Sequence, residues 1–153
     1  MLETSLVYIT RGSEVLLLHR VKKKQDVNEG KWIGVGGKLL PGETPEACAL
    51  RETLEETGLT PTDIRYRAVV DFESEGWQER MHLFTANAFT GELTLCDEGD
   101  LRWVPWECVP GLPLWEGDRV FLRLIMEERP FFRLKLCYDG QTLTQAVLDG
   151  EPL

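Results

Sequence analysis

The stretch GGKLLPGETPEACALRETLEETGL, residues Gly36 to Leu59, carries Glu43, Glu52, Glu55 and Glu56 between glycine-bearing ends. It also carries the punctuation of a helix. Thr44 suits an N-cap, Pro45 the first helical position, and Gly58 the left-handed residue just past the end, so the pattern predicts a helix over Pro45–Thr57. At about 100° per residue, Glu52, Glu55 and Glu56 stand at i, i+3 and i+4 and share one face. Ala47, Leu50 and Leu54 form the opposite stripe, expected to pack on a sheet with the acidic face turned away from the core.

Three carboxylates so placed repel one another by a few tenths of a kcal/mol per pair. A hard divalent cation reverses that penalty. An all-oxygen ligand set suits Mg²⁺ or Mn²⁺, ions that keep several waters and share their coordination with substrate phosphates. Arg51 and Glu43 are expected to pair and hold the array in register; an exposed pair would contribute little to stability. Gly34, Gly36 and Gly37 let the backbone approach a ligand closely, and a carbonyl such as that of Gly37 can join a metal's ligands.

Outward from this segment the chain reads as strands. SLVYIT and EVLLLHRV form a hairpin about Arg11-Gly12-Ser13, and RYRAVVDFES and ERMHLFTANAFT form a second about Glu75-Gly76-Trp77. KKKQDVNEGK, Lys22 to Lys31, reads as a loop whose lysines are either solvated or turned to phosphate. GELTLCDEGDLRWVPW predicts a short strand, an acidic loop at Asp97 to Asp100 and another strand ending at Pro105. EGDRVFLRLIMEERP has the apolar spacing of an amphipathic helix at Val120, Phe121, Leu124 and Ile125, stopped by Pro130. FFRLKLCYDG and QTLTQAVL close the chain as a hairpin about Asp139-Gly140. Strands around two helices predict an α/β fold, a mixed sheet with helices on both faces, in one domain over residues 1–153.

Composition narrows the function. A hydrophobic fraction of 42% and a charged fraction of 28% are those of a globular chain. No apolar run nears the ~18 residues of a membrane span, and no signal peptide precedes the first strand, so no membrane partner and a cytoplasmic location are expected. Net charge of −9 argues against a nucleic-acid polymer as partner. Cys48, Cys96, Cys108 and Cys137 are too dispersed for a zinc motif and read as reduced thiols.

Gly37, Glu43, Arg51-Glu52, Glu55-Glu56, Gly58 and Leu59 have the spacing of the Nudix box, and the segment resembles that signature of hydrolases acting on nucleoside diphosphates linked to another moiety. Thr53 departs from it, standing where the family favours an aliphatic residue. WIGVGGK, RWVPWE, LWEGD and PFFRLKLCYDG extend the resemblance over nearly the whole chain, towards the MutT/MutX-type bacterial 8-oxo-dGTP diphosphatases. The resemblance implies a Nudix-type α/β/α sandwich and Mg²⁺-dependent hydrolysis of a nucleoside triphosphate to monophosphate and pyrophosphate. It implies Glu55 and Glu56 as the main metal ligands, with Gly37 beside them, Glu52 as ligand or base, and Arg51 and Glu43 as orienting members. Glu98, in the acidic loop, is either a second candidate for base and ligand or an exposed loop acid. Lys38, Trp115 and Asp118 are expected at the substrate, Asp118 and Trp115 at an oxidised purine; Trp115 reads equally as a core anchor. Ile33 stands where a more distant eukaryotic relative has a base-reading asparagine. His19 and His82 fall inside strand patterns and read as packed or hydrogen-bonded. Two other readings share the same motif, hydrolysis of a dinucleoside polyphosphate or nucleotide sugar and a regulator that binds nucleotide without hydrolysis. The complete acidic set counts against the last.

Overall fold

The computed structural model describes residues 1–22 and 26–153. Lys23 and Lys24, within the lysine run discussed above, lie outside the described residues. The first hairpin consists of β1 (Leu2–Arg11) and β2 (Glu14–His19), turned at Gly12 with φ 59°. Next come β3 (Trp32–Ile33), β4 (Val35–Lys38) and α1 (Pro45–Thr57). After β5 (Leu59–Pro61), the second hairpin pairs β6 (Arg65–Ser74) with β7 (Trp77–Ala86), followed by β8 (Phe89–Gly91) and β9 (Asp100–Pro105). A 3-10 turn at Trp106–Gly111 leads to α2 (Glu116–Met126) and then to β10 (Phe132–Asp139), β11 (Thr142–Leu148) and β12 (Glu151–Pro152).

β1 organises the mixed sheet. It runs parallel to β7 and antiparallel to β4 and β2, while β10 joins the far side parallel to β6. Successive side chains of a strand point to opposite faces, and β1 shows the consequence. Tyr8 enters one core with Phe121, Leu122, Leu124 and Ile125 of α2. Val7 and Ile9 enter the other with Ala49 of α1. The sheet is therefore covered on both faces, as the sequence predicts.

α1 has the predicted bounds and caps: the Ala47 amide donates to Thr44 Oγ1 at 3.1 Å, and Gly58 has φ 80°. Its buried stripe differs from the expected one. Cys48, Ala49, Thr53 and Thr57 are buried, whereas Ala47 is exposed and Leu54 is 52% exposed. The reason lies in β4, whose Gly36 and Gly37 have no side chains to hold the helix off. α1 settles on its small residues, and Glu52 and Glu56 flank that stripe, turned towards the glycine strand rather than away from the core.

WIGVGGK, left without a strand by local pattern, forms β3 and β4 because other strands supply distant partners, β2 pairing Leu18 with Ile33 and β1 pairing Leu6 with Gly36 and Ser5 with Gly37. A Cβ on Gly36 would stand 1.9 Å from the Ser5 carbonyl oxygen. The expected GELTL strand is displaced to Phe89–Gly91, which pairs with β5. Among the described residues, no helix is long and apolar enough to cross a membrane.

Candidate active site

Arg51 is the hub of the acidic segment. Its Nε and Nη2 donate to the two oxygens of Glu43 at 2.8 and 2.9 Å, a bidentate pairing that fixes both planes. Its Nη1 donates to Glu52 at 2.8 Å and to Glu55 at 3.4 Å, and its Nη2 reaches the Lys38 carbonyl at 3.1 Å. Hydrogen bonding from Arg51 holds the Glu43 carboxyl down at about 2. The Glu52 carboxylate lies against Gly37, where an added Cβ would meet its Cδ at 2.4 Å. Cys48 Sγ donates to the Gly37 carbonyl at 3.5 Å.

Glu56 points inward from α1, and the Gly36 amide donates to its Oε2 at 3.1 Å. Burial, and then the neighbouring Glu98 and Glu52 charges, push its carboxyl up to about 8, the Gly36 amide opposing them. The acidic loop thus brings Glu98 close enough for its charge to act on Glu56. Arg20, 9% exposed, ion-pairs with Asp26 at 2.8 Å and with Glu98 at 3.4 Å. Among the described residues, no three acidic, imidazole or thiol side chains are gathered closely enough to hold a cation as they stand. The pairing explains this: Arg51 draws Glu52 to itself, and Glu55 is exposed. The residues nonetheless fit a hard dication. Glu56, crowded by Glu98 and Glu52, makes no ion pair among the described residues, and the carboxylates and the Gly37 carbonyl offer oxygen, the donor that Mg²⁺ and Mn²⁺ take.

A cavity of about 460 Å³ opens beside this cluster, sharing Gly36, Gly37 and Arg20 with it. Trp115 and Asp118 line it too. Trp115 donates through Nε1 to Asn28 Oδ1 at 2.8 Å, meets Tyr138 edge-on at 5.6 Å, and has Lys31 Nζ 5.2 Å above its ring. It is at once anchored and a cavity wall. Asp118 is 6% exposed and its carboxyl makes no hydrogen bond among the described residues. Burial, then the charge of Glu79, pushes it up to about 7, with Lys31 opposing. The helix start that aims Asp118 into the cavity needs Gly117, whose amide donates to Tyr138 Oη at 2.7 Å and whose Cβ would stand 2.6 Å from that oxygen.

Of the residues singled out by sequence, Glu43, Arg51, Glu52, Glu56, Glu98 and Gly37 converge. Glu55 sits at the edge of the group and Lys38 is exposed, contributing its carbonyl. Ile33 lines the cavity, as do Arg20, Asn28 and Glu79, which local pattern did not mark. Glu79 belongs to a strand whose alternation shows which face it takes but not what opposes it, and Arg20 follows the last residue of β2. His82 bonds Tyr66 and Glu3, and His19 stacks on Trp32 at 4.2 Å, both outside the cluster.

The sequence profile of the NUDIX domain matches residues 2–125. The zebrafish Danio rerio oxidized purine nucleoside triphosphate hydrolase is 35% identical over 129 residues, 83% of this chain and 81% of that one. Its mouse counterpart from Mus musculus is 33% identical over the same shares. Among solved structures, a MutT protein from Bacillus halodurans superposes with a TM-score of 0.88 at 25% identity, covering 99% of this chain and 100% of its own.

Proposed function

The chain belongs to the Nudix family, and from that premise we propose that it hydrolyses an oxidised purine nucleoside triphosphate, 8-oxo-dGTP, to the monophosphate and pyrophosphate. One observation carries the reading. The cavity that presents Trp115 and the unpaired, buried Asp118 opens beside the carboxylate cluster at Gly36 and Gly37. A base can therefore be held at one end while its phosphates reach the other. The names of the vertebrate relatives support the same substrate class.

Glu52, Glu55, Glu56, Glu98 and the Gly37 carbonyl would hold Mg²⁺, or Mn²⁺ in its place. The ion supplies charge neutralisation of the triphosphate and Lewis-acid activation. Arg51, fixed by Glu43, limits where the Glu52 carboxylate can point. Glu52, with Glu98 as the second candidate, takes a proton from the attacking water, and the water oxygen bonds phosphorus as the bond to the pyrophosphate leaving group breaks. Lys38 stands exposed at the rim, where a phosphate can meet it. Apolar walls exclude water from the base, and a matched polar group then discriminates strongly, because the wrong edge leaves it unpaired. Small nucleotides rather than polymers are the substrates in keeping with net charge −9, and sanitisation of the free nucleotide pool places the activity in the cytoplasm. Incubation with Mg²⁺ and 8-oxo-dGTP, dGTP, a dinucleoside polyphosphate and a nucleotide sugar tests the assignment. Pyrophosphate released fastest from 8-oxo-dGTP is expected; inorganic phosphate with a diphosphate, or preference for another substrate, refutes it.

A further inference from the structure

The base cavity contains a second carboxylate. Glu79 lines it from β7, and Thr4 on the adjacent β1 donates through Oγ1 to Glu79 Oε2 at 2.7 Å. Glu79 Oε1 makes no hydrogen bond among the described residues, so this side chain is anchored at one oxygen and open at the other. Most other polar groups of the lining are committed elsewhere. Asn28 Oδ1 accepts from Trp115, Ser5 Oγ donates to the Pro45 carbonyl at 2.7 Å, Arg20 is paired with Asp26 and Glu98, and Glu73 meets Lys135 at 3.2 Å. Asp118, buried and unpaired, and the open oxygen of Glu79 remain to meet a ligand. They stand on different elements, α2 and β7, and the Glu79 charge is felt at Asp118.

A cavity with acceptors from two separate elements suits a base with donors on two edges. Guanine has N1–H and an amino group on its pairing edge, but its N7 is an acceptor. Oxidation at C8 replaces the N7 lone pair by an N–H. A carboxylate facing that position accepts a hydrogen bond from the oxidised base and confronts a lone pair on the ordinary one. An ionised carboxylate is acceptor-only, so it has no means of adapting to guanine.

We propose that Glu79, held by Thr4, reads the N7–H of the oxidised purine while Asp118 takes the opposite edge. This rests on the oxidised purine triphosphate as substrate. Glu79→Gln keeps the shape of the side chain but adds a donor, so selectivity shifts in a defined direction. Activity on the oxidised base falls and activity on the ordinary base rises, which mere disruption of the cavity would not do.

The test measures kcat/KM for 8-oxo-dGTP, dGTP and 8-bromo-dGTP on the wild type, Glu79→Gln, Glu79→Ala and Thr4→Val, each loaded with Mg²⁺. 8-Bromo-dGTP carries a bulky C8 substituent but retains the N7 lone pair, separating the hydrogen from shape. For Glu79→Gln the ratio of 8-oxo-dGTP to dGTP is expected to fall about ten- to a hundredfold, with dGTP and 8-bromo-dGTP both improved in absolute terms. Glu79→Ala should lose 8-oxo-dGTP without gaining the others, and Thr4→Val should move the ratio in the direction of Glu79→Gln by less. A wild type that prefers 8-oxo-dGTP, with that ratio unchanged in Glu79→Gln or with all three substrates lowered equally, overturns this assignment alone. A wild type indifferent to C8 oxidation overturns it together with the substrate reading.

Discussion

Glu56→Gln should abolish hydrolysis and, without metal, make the protein more stable at alkaline pH. The Glu56 carboxyl is raised from 4.5 to about 8 by burial and by Glu98 and Glu52. A raised carboxyl binds a proton in the folded state that the unfolded chain has released, so stability falls as pH rises from 4.5 to about 8 and is constant outside that window. At about 1.4 kcal/mol per pH unit the ceiling is about 5 kcal/mol. Glu98 and Glu52 stay behind in the variant and the site is partly open to solvent, so relief of roughly 2–3 kcal/mol is expected. The glutamine keeps an oxygen for the Gly36 amide now 3.1 Å from Glu56. For a chain of this size that corresponds to a Tm higher by roughly 4–12 °C. The assay is thermal unfolding by circular dichroism in EDTA at pH 4.5 and pH 8.5, wild type beside variant. Near-equal Tm values are expected at the lower pH and the stated gap at the higher, where adding Mg²⁺ raises the wild type more than the variant. Parallel pH dependence of the two proteins would refute the reasoning.

Gly36→Ala and Gly37→Ala should separate folding from function. The first sets a Cβ against the Ser5 backbone and should prevent β4 from pairing, whereas the second meets only the movable end of Glu52 and should leave a folded protein with weakened Mg²⁺ affinity, read by unfolding curves and by metal titration. Thr53→Val removes a fully buried hydroxyl that has no hydrogen-bond partner among the described residues and should stabilise the protein by about 1 kcal/mol in chemical denaturation, with kcat unchanged. Asp118→Ala should lower the ratio of kcat/KM for 8-oxo-dGTP over dGTP by about ten- to a hundredfold. An unchanged ratio would remove Asp118 from base reading.

Local chemistry made α1 legible. Thr44, Pro45 and Gly58 act on backbone groups a few residues away, so their effect is written in the sequence, and the spacing of Glu52, Glu55 and Glu56 follows from helix pitch alone. The hairpins at Gly12, Gly76 and Gly140 and the apolar stripe of α2 were legible for the same reason. Which side of α1 is buried was not. Ala47, Leu50 and Leu54 make a plausible apolar stripe, but the partner surface is the bare glycine backbone of β4, so small Cys48, Ala49 and Thr53 go inward and Glu52 and Glu56 are carried towards Gly36 and Gly37. The strands at WIGVGGK, the approach of Glu98 to Glu56, the burial of Arg20 and the presence of Glu79 and Asp118 in the wall of one cavity also came only with the tertiary structure. Each joins residues far apart in the chain, and their encounter depends on strand register and helix docking, which no short window of sequence contains.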